Sequence, residues 1–265
     1  MIKDIVADYL STLGQDSVDG LDGIKALMNK HLTTFPFSSV AVQLGRDVSL
    51  DIDDIYKKVV KDRKGGYCFE HNKLFYEVLK QLGFDVTPYL ARVVNNQDIT
   101  PPKTHRITML NYEGERYLID VGFGFMSANV PVKFGGDYTE SHMSRLYRIE
   151  ESGDGFFRYQ FLKDNDHYTM YKFDLNPCYE GDFELGNFYS YKHPKAAFVN
   201  NLVLSMITDY EIRSLRNGGY QKIFKDRVEE VPFKSAEALN EILKDDFNCH
   251  FDLTEVEEIF NKCAK

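Results

Sequence analysis

Residues 63–72 read RKGGYCFEHN, and how this stretch folds decides the reading of the chain around it. The glycine pair interrupts any regular element. Beyond it, Phe75, Val78, Leu79 and Leu82 recur at helical spacing up to Gly83, a residue suited to ending a helix. Cys68 therefore stands where a loop becomes a helix. A helix N-terminus presents unpaired N–H groups and positive potential, which favour a thiolate over a thiol. Gly65 and Gly66 permit backbone angles closed to other residues and close approach by a ligand. The Cys68 N–H is itself a candidate donor to a developing oxyanion. A lone cysteine is more often a buried structural residue than a nucleophile, so the nucleophilic reading needs a base.

On the N-terminal side, Ile2, Ile5, Val6, Tyr9, Leu10 and Leu13 predict a first amphipathic helix, and Leu21, Ile24, Leu27, Met28, His31 and Leu32 a second. Ile52, Ile55, Tyr56 and Val59 predict a third, with Lys57, Lys58 and Lys61 at its dipole-complementing end. After Phe84 the period shortens. TPYLARVV, HRITML, RYLIDV, FFRYQFL and HYTMYKFDL are short β-branched or aromatic runs separated by turn-forming residues, as strands are. The last part is mixed: FVNNLVLSMI as an edge-like strand, then GGYQKIFKD and RVEEVPF, then helices starting near Ser235 and Asp252. The expectation is an α+β protein in three parts: residues 1–83 a helical bundle, 84–190 an antiparallel sheet or barrel, and 191–265 a mixed α/β unit.

With 265 residues and 43% hydrophobic content, the chain can build a sizeable core without staples. A net charge of −9 gives no footprint for nucleic acid or an anionic membrane, so small molecules are the favoured partners. MIKDIVADYL lacks a signal peptide's basic and apolar regions, and no apolar run reaches membrane-spanning length, which points to a cytoplasmic protein. Cys68, Cys178, Cys249 and Cys263 form no CxxC pair, which argues for free thiols and against a cysteine-rich zinc site.

Among seven histidines, His31 reads as a satisfied core residue, and His71 lies on a helix face neighbouring that of Cys68. His105 has the strongest case as a base. If THRITML and RYLIDV pair through a four-residue loop, Asn111 to Gly114, His105 stands opposite Asp120, close enough for the carboxylate to orient the ring. A two-residue Glu113-Gly114 turn makes the pair diagonal on one face, and a three-residue loop separates them. An exposed cross-strand ion pair is the commoner fate of such residues. Asp120, however, is enclosed in YLIDVGFG, where a buried acid needs a partner. The three residues fit a Cys–His–Asp relay, in the cysteine-protease-like manner, for acyl transfer or hydrolysis.

GGYCFEHN, THRITML and YLIDVGFG, in this order and spacing, resemble the arylamine N-acetyltransferase family. FPF at 35–37 and HPKAAFVNNLVLS at 193–205 extend the resemblance over most of the chain. The resemblance implies a helical bundle, a β-barrel and a C-terminal α/β lid. It also implies Cys68 as the acetylated nucleophile with His105 and Asp120, acetyl-CoA as donor, and an arylamine, arylhydrazine or N-hydroxyarylamine as acceptor, in a ping-pong reaction without a metal. Carried over singly, Phe37, Val93 and Phe123 match positions lining the family's acceptor pocket; all three equally suit a core. Glu70 and Asn72 match as supporting polar groups. Two positions depart: Lys64 stands where the family usually has arginine, and Ser38-Ser39 where Glu-Asn is common. A transglutaminase-like or papain-like hydrolase shares the Cys, His, Asp order, and an inactive ligand-binding relative fits the two departures.

Overall fold

The computed structural model describes residues 2–263. Ile5, Val6 and Tyr9 of α1 (Ile2–Thr12) share one core with Ile24, Leu27 and Met28 of α2 (Gly20–Thr34). A short strand, β1 (Phe37–Ser38), and a helical turn, α3 (Val40–Gln43), lead to α4 (Ile52–Tyr56). The Asp51 carboxylate caps α4 by accepting from the Asp53 N–H at 2.9 Å. The helix continues as a π-helical turn over Lys57–Lys61. Next, α5 (Cys68–Gln81) adds Leu74, Phe75, Val78 and Leu79 to the same core, and Gly83, at φ +87°, follows its end.

The strands of the middle part are β2 (Asp85–Val93), β3 (His105–Tyr112), β4 (Glu115–Ile119), β5 (Val132–Lys133), β6 (Thr139–Glu140), β7 (Leu146–Glu151), β8 (Phe157–Lys163) and β9 (Asp166–Phe173). They form one antiparallel sheet in the order β5-β4-β3-β2-β9-β8-β7-β6. A bridge from Phe134 to Ile149 brings its ends together, so the sheet is a nearly closed barrel. Ile107, Tyr147, Tyr159, Tyr171 and Phe173 belong to its buried core.

The sheet stops at Phe173, earlier than expected. Within the stretch read as strand up to residue 190 lies α6 (Glu180–Lys192). Its start is fixed by the Asp182 carboxylate, which accepts from the Tyr179 N–H at 2.8 Å. Its mixed residues, EGDFELGNFYSYK, show no apolar stripe, which is why periodicity missed it. FVNNLVLSMI also divides: α7 (Ala197–Asn200) precedes β10 (Val203–Ile207), and β10 is flanked on both sides. A second antiparallel sheet runs β1-β10-β11-β12-β13, with β11 (Ile212–Arg216), β12 (Gly219–Ile223) and β13 (Val228–Glu230). Thus a strand from the helical part starts the C-terminal sheet. Leu204 and Met206 pack with Leu239 of α8 (Ala236–Glu241) and with Val256 and Ile259 of α9 (Leu253–Cys263). Ser235 caps α8 as expected, accepting from the Ala238 N–H at 3.2 Å. All four cysteines are unpaired. No helix among the described residues is long and apolar enough to cross a membrane.

His31 is indeed a satisfied core residue, and His71 joins it. Tyr9 Oη lies 2.7 Å from His31 Nδ1, His31 Nε2 2.8 Å from His71 Nδ1, and His71 Nε2 3.1 Å from the Pro36 carbonyl. A carbonyl only accepts, so His71 Nε2 carries a proton; the remaining bonds then run one way, from Tyr9 through His31. Both rings are neutral in this series. Burial pulls His31 well below the ordinary imidazole value and takes His71 down to about 4. Between pH 6.5 and about 4 the unfolded chain binds protons that these rings exclude. Their stabilisation is therefore complete above pH 6.5 and is lost on acidification, at about 1.4 kcal/mol per pH unit for each ring. Urea unfolding is expected to show falling stability from pH 6.5 towards 4. His71→Gln, which keeps a donor for Pro36 but cannot titrate, should reduce that slope by about half, leaving the His31 share, and an unchanged slope contradicts the assignment.

Candidate active site

Cys68 is the first residue of α5, and Tyr67 before it is extended, at φ −116° and ψ −171°. The Glu70 carboxylate accepts from the Tyr67 N–H at 3.1 Å and pairs with Lys58 Nζ at 2.7 Å. This reciprocal contact at the third helical position sets the angle at which the chain enters the helix. The glycines before it are packed closely against the rest of the protein. At Gly65, φ +65°, a Cβ would lie 2.6 Å from the Pro36 carbonyl oxygen and 2.8 Å from Ser38 Cβ. At Gly66 it would press on Val59 and Glu70. The Ser38 N–H donates to the Gly66 carbonyl at 2.6 Å, which seats the turn against β1. Cys68 is only 3% exposed, and its Sγ lies 3.6 Å from the Thr104 carbonyl.

The β3–β4 hairpin closes through a two-residue turn. Tyr112 pairs with Glu115, so Leu110 faces Tyr117 and not Glu115, and the four-residue loop is replaced. Glu113 and Gly114 both have positive φ, 51° and 79°, the geometry that matches strand twist in a tight hairpin. Asp120, one position beyond the Thr108–Ile119 pair, is thus diagonal to His105 on the same face. The diagonal is bridged: His105 Nε2 lies 2.8 Å from Asp120 Oδ2.

Both oxygens of Asp120 accept two hydrogen bonds. Oδ1 receives Asn72 Nδ2 at 2.8 Å and the Gly122 N–H at 3.0 Å. Oδ2 receives the His105 ring and the Tyr171 hydroxyl, at 2.8 and 2.9 Å. Asn72 is fixed in turn, since it accepts from the Val121 N–H at 2.9 Å and donates to the Arg106 carbonyl at 2.6 Å. Burial opposes the Asp120 charge, but His105, Asn72 and the Gly122 N–H outweigh it and hold the carboxyl below the ordinary range. Burial also opposes a charge on His105. The Asp120 carboxylate, then hydrogen bonding with Cys68, reverse that effect and push the ring up to about 10. Its Nε2 proton faces Asp120, and in the protonated ring the Nδ1 proton is the one available to the Cys68 sulfur. A thiol, an imidazole and a fixed carboxylate in this order can exchange a proton while the sulfur attacks an acyl carbon.

Gly122 lets the barrel approach the helix: a Cβ there would lie 2.6 Å from Asn72 Nδ2 and 2.8 Å from Cys68 Cα. The Phe123 ring sits edge-on to His105 at 5.0 Å between centroids and 5.2 Å from the ring of Tyr171. Val93 pairs with Tyr171 on β9, and Ala91, two residues earlier, pairs with His105. These side chains therefore share one sheet face. Phe37 is 8% exposed, and its ring lies 5.6 Å from that of Phe198. Tyr171, Phe198 and the Thr104 carbonyl were absent from the sequence reading. Tyr171 reaches the site through the β2–β9 pairing and Phe198 from α7, beside the Phe37 ring; local spacing encodes neither.

The departures at 64 and 38–39 have partners here. Lys64 Nζ reaches the Glu255 carboxylate at 2.7 and 3.0 Å. Ser39 Oγ donates to the Asn201 carbonyl at 3.2 Å and accepts from the Val203 N–H at 2.9 Å, tying β1 to β10. Ser38 is buried, and its Oγ accepts from the Val40 N–H at 3.3 Å.

Residues 20–256 match the family model described as N-acetyltransferase. The chain is 37% identical over 185 residues to the Escherichia coli (strain K12) arylamine N-acetyltransferase, covering 69% of this chain and 66% of that protein. It is 30% identical over 234 residues to the Salmonella typhimurium arylamine N-acetyltransferase / N-hydroxyarylamine O-acetyltransferase, covering 86% and 83%. The structure of Mycobacterium marinum arylamine N-acetyltransferase in complex with CoA superposes with a TM-score of 0.90 at 25% identity, over 97% of this chain and 99% of that one. A hydrolase assignment gives way to these matches: the chain is an acyltransferase and belongs to the arylamine N-acetyltransferase family.

Proposed function

We propose that Cys68, His105 and Asp120 carry an acetyl group from acetyl-CoA to an arylamine, arylhydrazine or N-hydroxyarylamine in two half-reactions. The supporting observation is the buried series from Asp120 through His105, 2.8 Å apart, to a cysteine at a helix N-terminus. The complex of the M. marinum relative with CoA supports the donor, and the names of the E. coli and S. typhimurium relatives support arylamines and N-hydroxyarylamines as acceptors.

In the first half-reaction Cys68 Sγ bonds to the acetyl carbonyl carbon and the bond from that carbon to the CoA sulfur breaks. His105, which holds the proton in the resting protein, gives it to the departing CoA sulfur and becomes neutral. In the second, the acceptor nitrogen or hydroxylamine oxygen attacks the thioester, and His105 takes the proton that the acceptor loses as the carbon–Sγ bond breaks. Asp120 stays ionised throughout and fixes the ring. The Cys68 N–H, at a positive helix end, is placed to stabilise charge on the carbonyl oxygen. With only 3% of Cys68 exposed, departure of CoA before the acceptor enters relieves a crowded approach. Phe37, Val93 and Phe123, with Phe198, supply apolar walls for the acceptor ring.

Mixing the protein with acetyl-CoA alone is expected to release CoA in one stoichiometric burst and leave one acetyl group on Cys68 by peptide mass spectrometry. Cys68→Ala should abolish both with little change in folding; a folded parent without acetyl gain rejects the proposal. Asp120→Asn removes the charge that holds the imidazole. It is expected to lower turnover by roughly 10²–10⁴-fold, and turnover near the parent's shows that Asp120 is not the orienting acid.

A further inference from the structure

Among the described contacts, one buried carboxylate far along the chain from the proposed site is joined directly to the turn that carries the nucleophile. Glu255, 4% exposed, receives Lys64 Nζ at 2.7 and 3.0 Å and Arg46 Nη1 at 2.6 Å. It also builds the start of α9: its Oε2 accepts from the Asp252 N–H at 2.9 Å, and its own N–H donates to Asp252 Oδ1 at 2.8 Å. A second tie lies beside it, where the His250 N–H donates to the Arg63 carbonyl at 3.0 Å. Arg63 itself has φ +52°, a conformation that side chains other than glycine rarely adopt.

We propose that Glu255 is a positioning residue for Cys68, through which the C-terminal helix holds the nucleophile's turn in register with His105. The proposal rests on acetyl transfer at Cys68. The route is short: Lys64 is followed by Gly65, lodged against Pro36; by Gly66, bonded to Ser38; and by Tyr67, held by Glu70. A cavity of about 360 Å³ borders the turn, with Val40, Arg46, Lys58, Lys64, Glu70 and Phe251 in its wall. Lys64 and Arg46 therefore border open volume on one side and are held there through Glu255. Displacements near 1 Å at a reacting group cost about 10²-fold in rate, so a modest release of residue 64 is felt at residue 68.

The experiment is single-turnover acetylation of Cys68 by acetyl-CoA in the full chain, for the parent, Glu255→Gln, Lys64→Gln, the double variant and Lys64→Arg. Glutamine at 255 can still make the reciprocal cap with Asp252, so α9 keeps its start while the charge is lost. Each Gln variant is expected to slow acetylation about ten-fold or more. The double variant should be no slower than either single one, and Lys64→Arg, which preserves the pair, should stay near the parent. Lys64→Gln reads the same contact from the other side should Glu255→Gln fail to fold. Overturning results are a rate within about two-fold of the parent in a folded Gln variant, additive losses in the double, or Lys64→Arg as slow as Lys64→Gln. A parent that takes no acetyl group defeats the proposed function itself, an outcome distinct from a reactive parent with equally reactive variants.

Discussion

The buried charge on Asp120 is the constraint around which the rest is arranged. A carboxylate with 3% exposure is stable only where its oxygens are met by donors, since an unpaired buried charge costs several kcal/mol. Its four donors come from different places: Asn72 on α5, His105 on β3, Tyr171 on β9 and the N–H of Gly122. Each hydrogen bond to a charged group contributes about 1.5–3 kcal/mol, which is enough to offset the burial only if all elements converge. The helix that begins at Cys68 and the barrel that carries His105 are thereby locked together, and the geometry for proton exchange follows from that lock.

Close approach is what makes the lock possible. Gly122 allows the loop after β4 to lie against Cys68 and Asn72, where a methyl group would clash. Gly65 does the same between the turn before Cys68 and Pro36. The segment after Pro36 then crosses into the C-terminal sheet through the pairing of Phe37 with Ser205. Helical bundle, barrel and C-terminal sheet are thus joined within a few residues of the thiol, and loosening any of these contacts is felt by it.

Most of the helices and barrel strands were legible because their residues keep a clear period, as in α1, α2, α5, β3 and β4. The helix α6 was not, because EGDFELGNFYSYK carries no apolar stripe and its start depends on a carboxylate cap. Proximity of Asp120 to His105 was legible through strand parity, although the turn has two residues and the pair is diagonal. Tyr171 was not legible, because it reaches Asp120 from a strand whose neighbour, β2, lies far away in sequence. The same limit hid Glu255: Lys64 stood out as unusual, but nothing local indicates that its partner lies nearly two hundred residues further on.

The central physical claim is that Asp120 keeps a proton on His105 against the effect of burial. The most direct measurement is an NMR titration of the His105 ring in the free protein, assigned by comparison with a variant lacking that histidine. The ring is expected to remain protonated through neutral pH and to lose its proton near 10, where its value is set. Titration at or below about 6.5, the value of an unperturbed imidazole, contradicts the claim and with it the role given to Asp120.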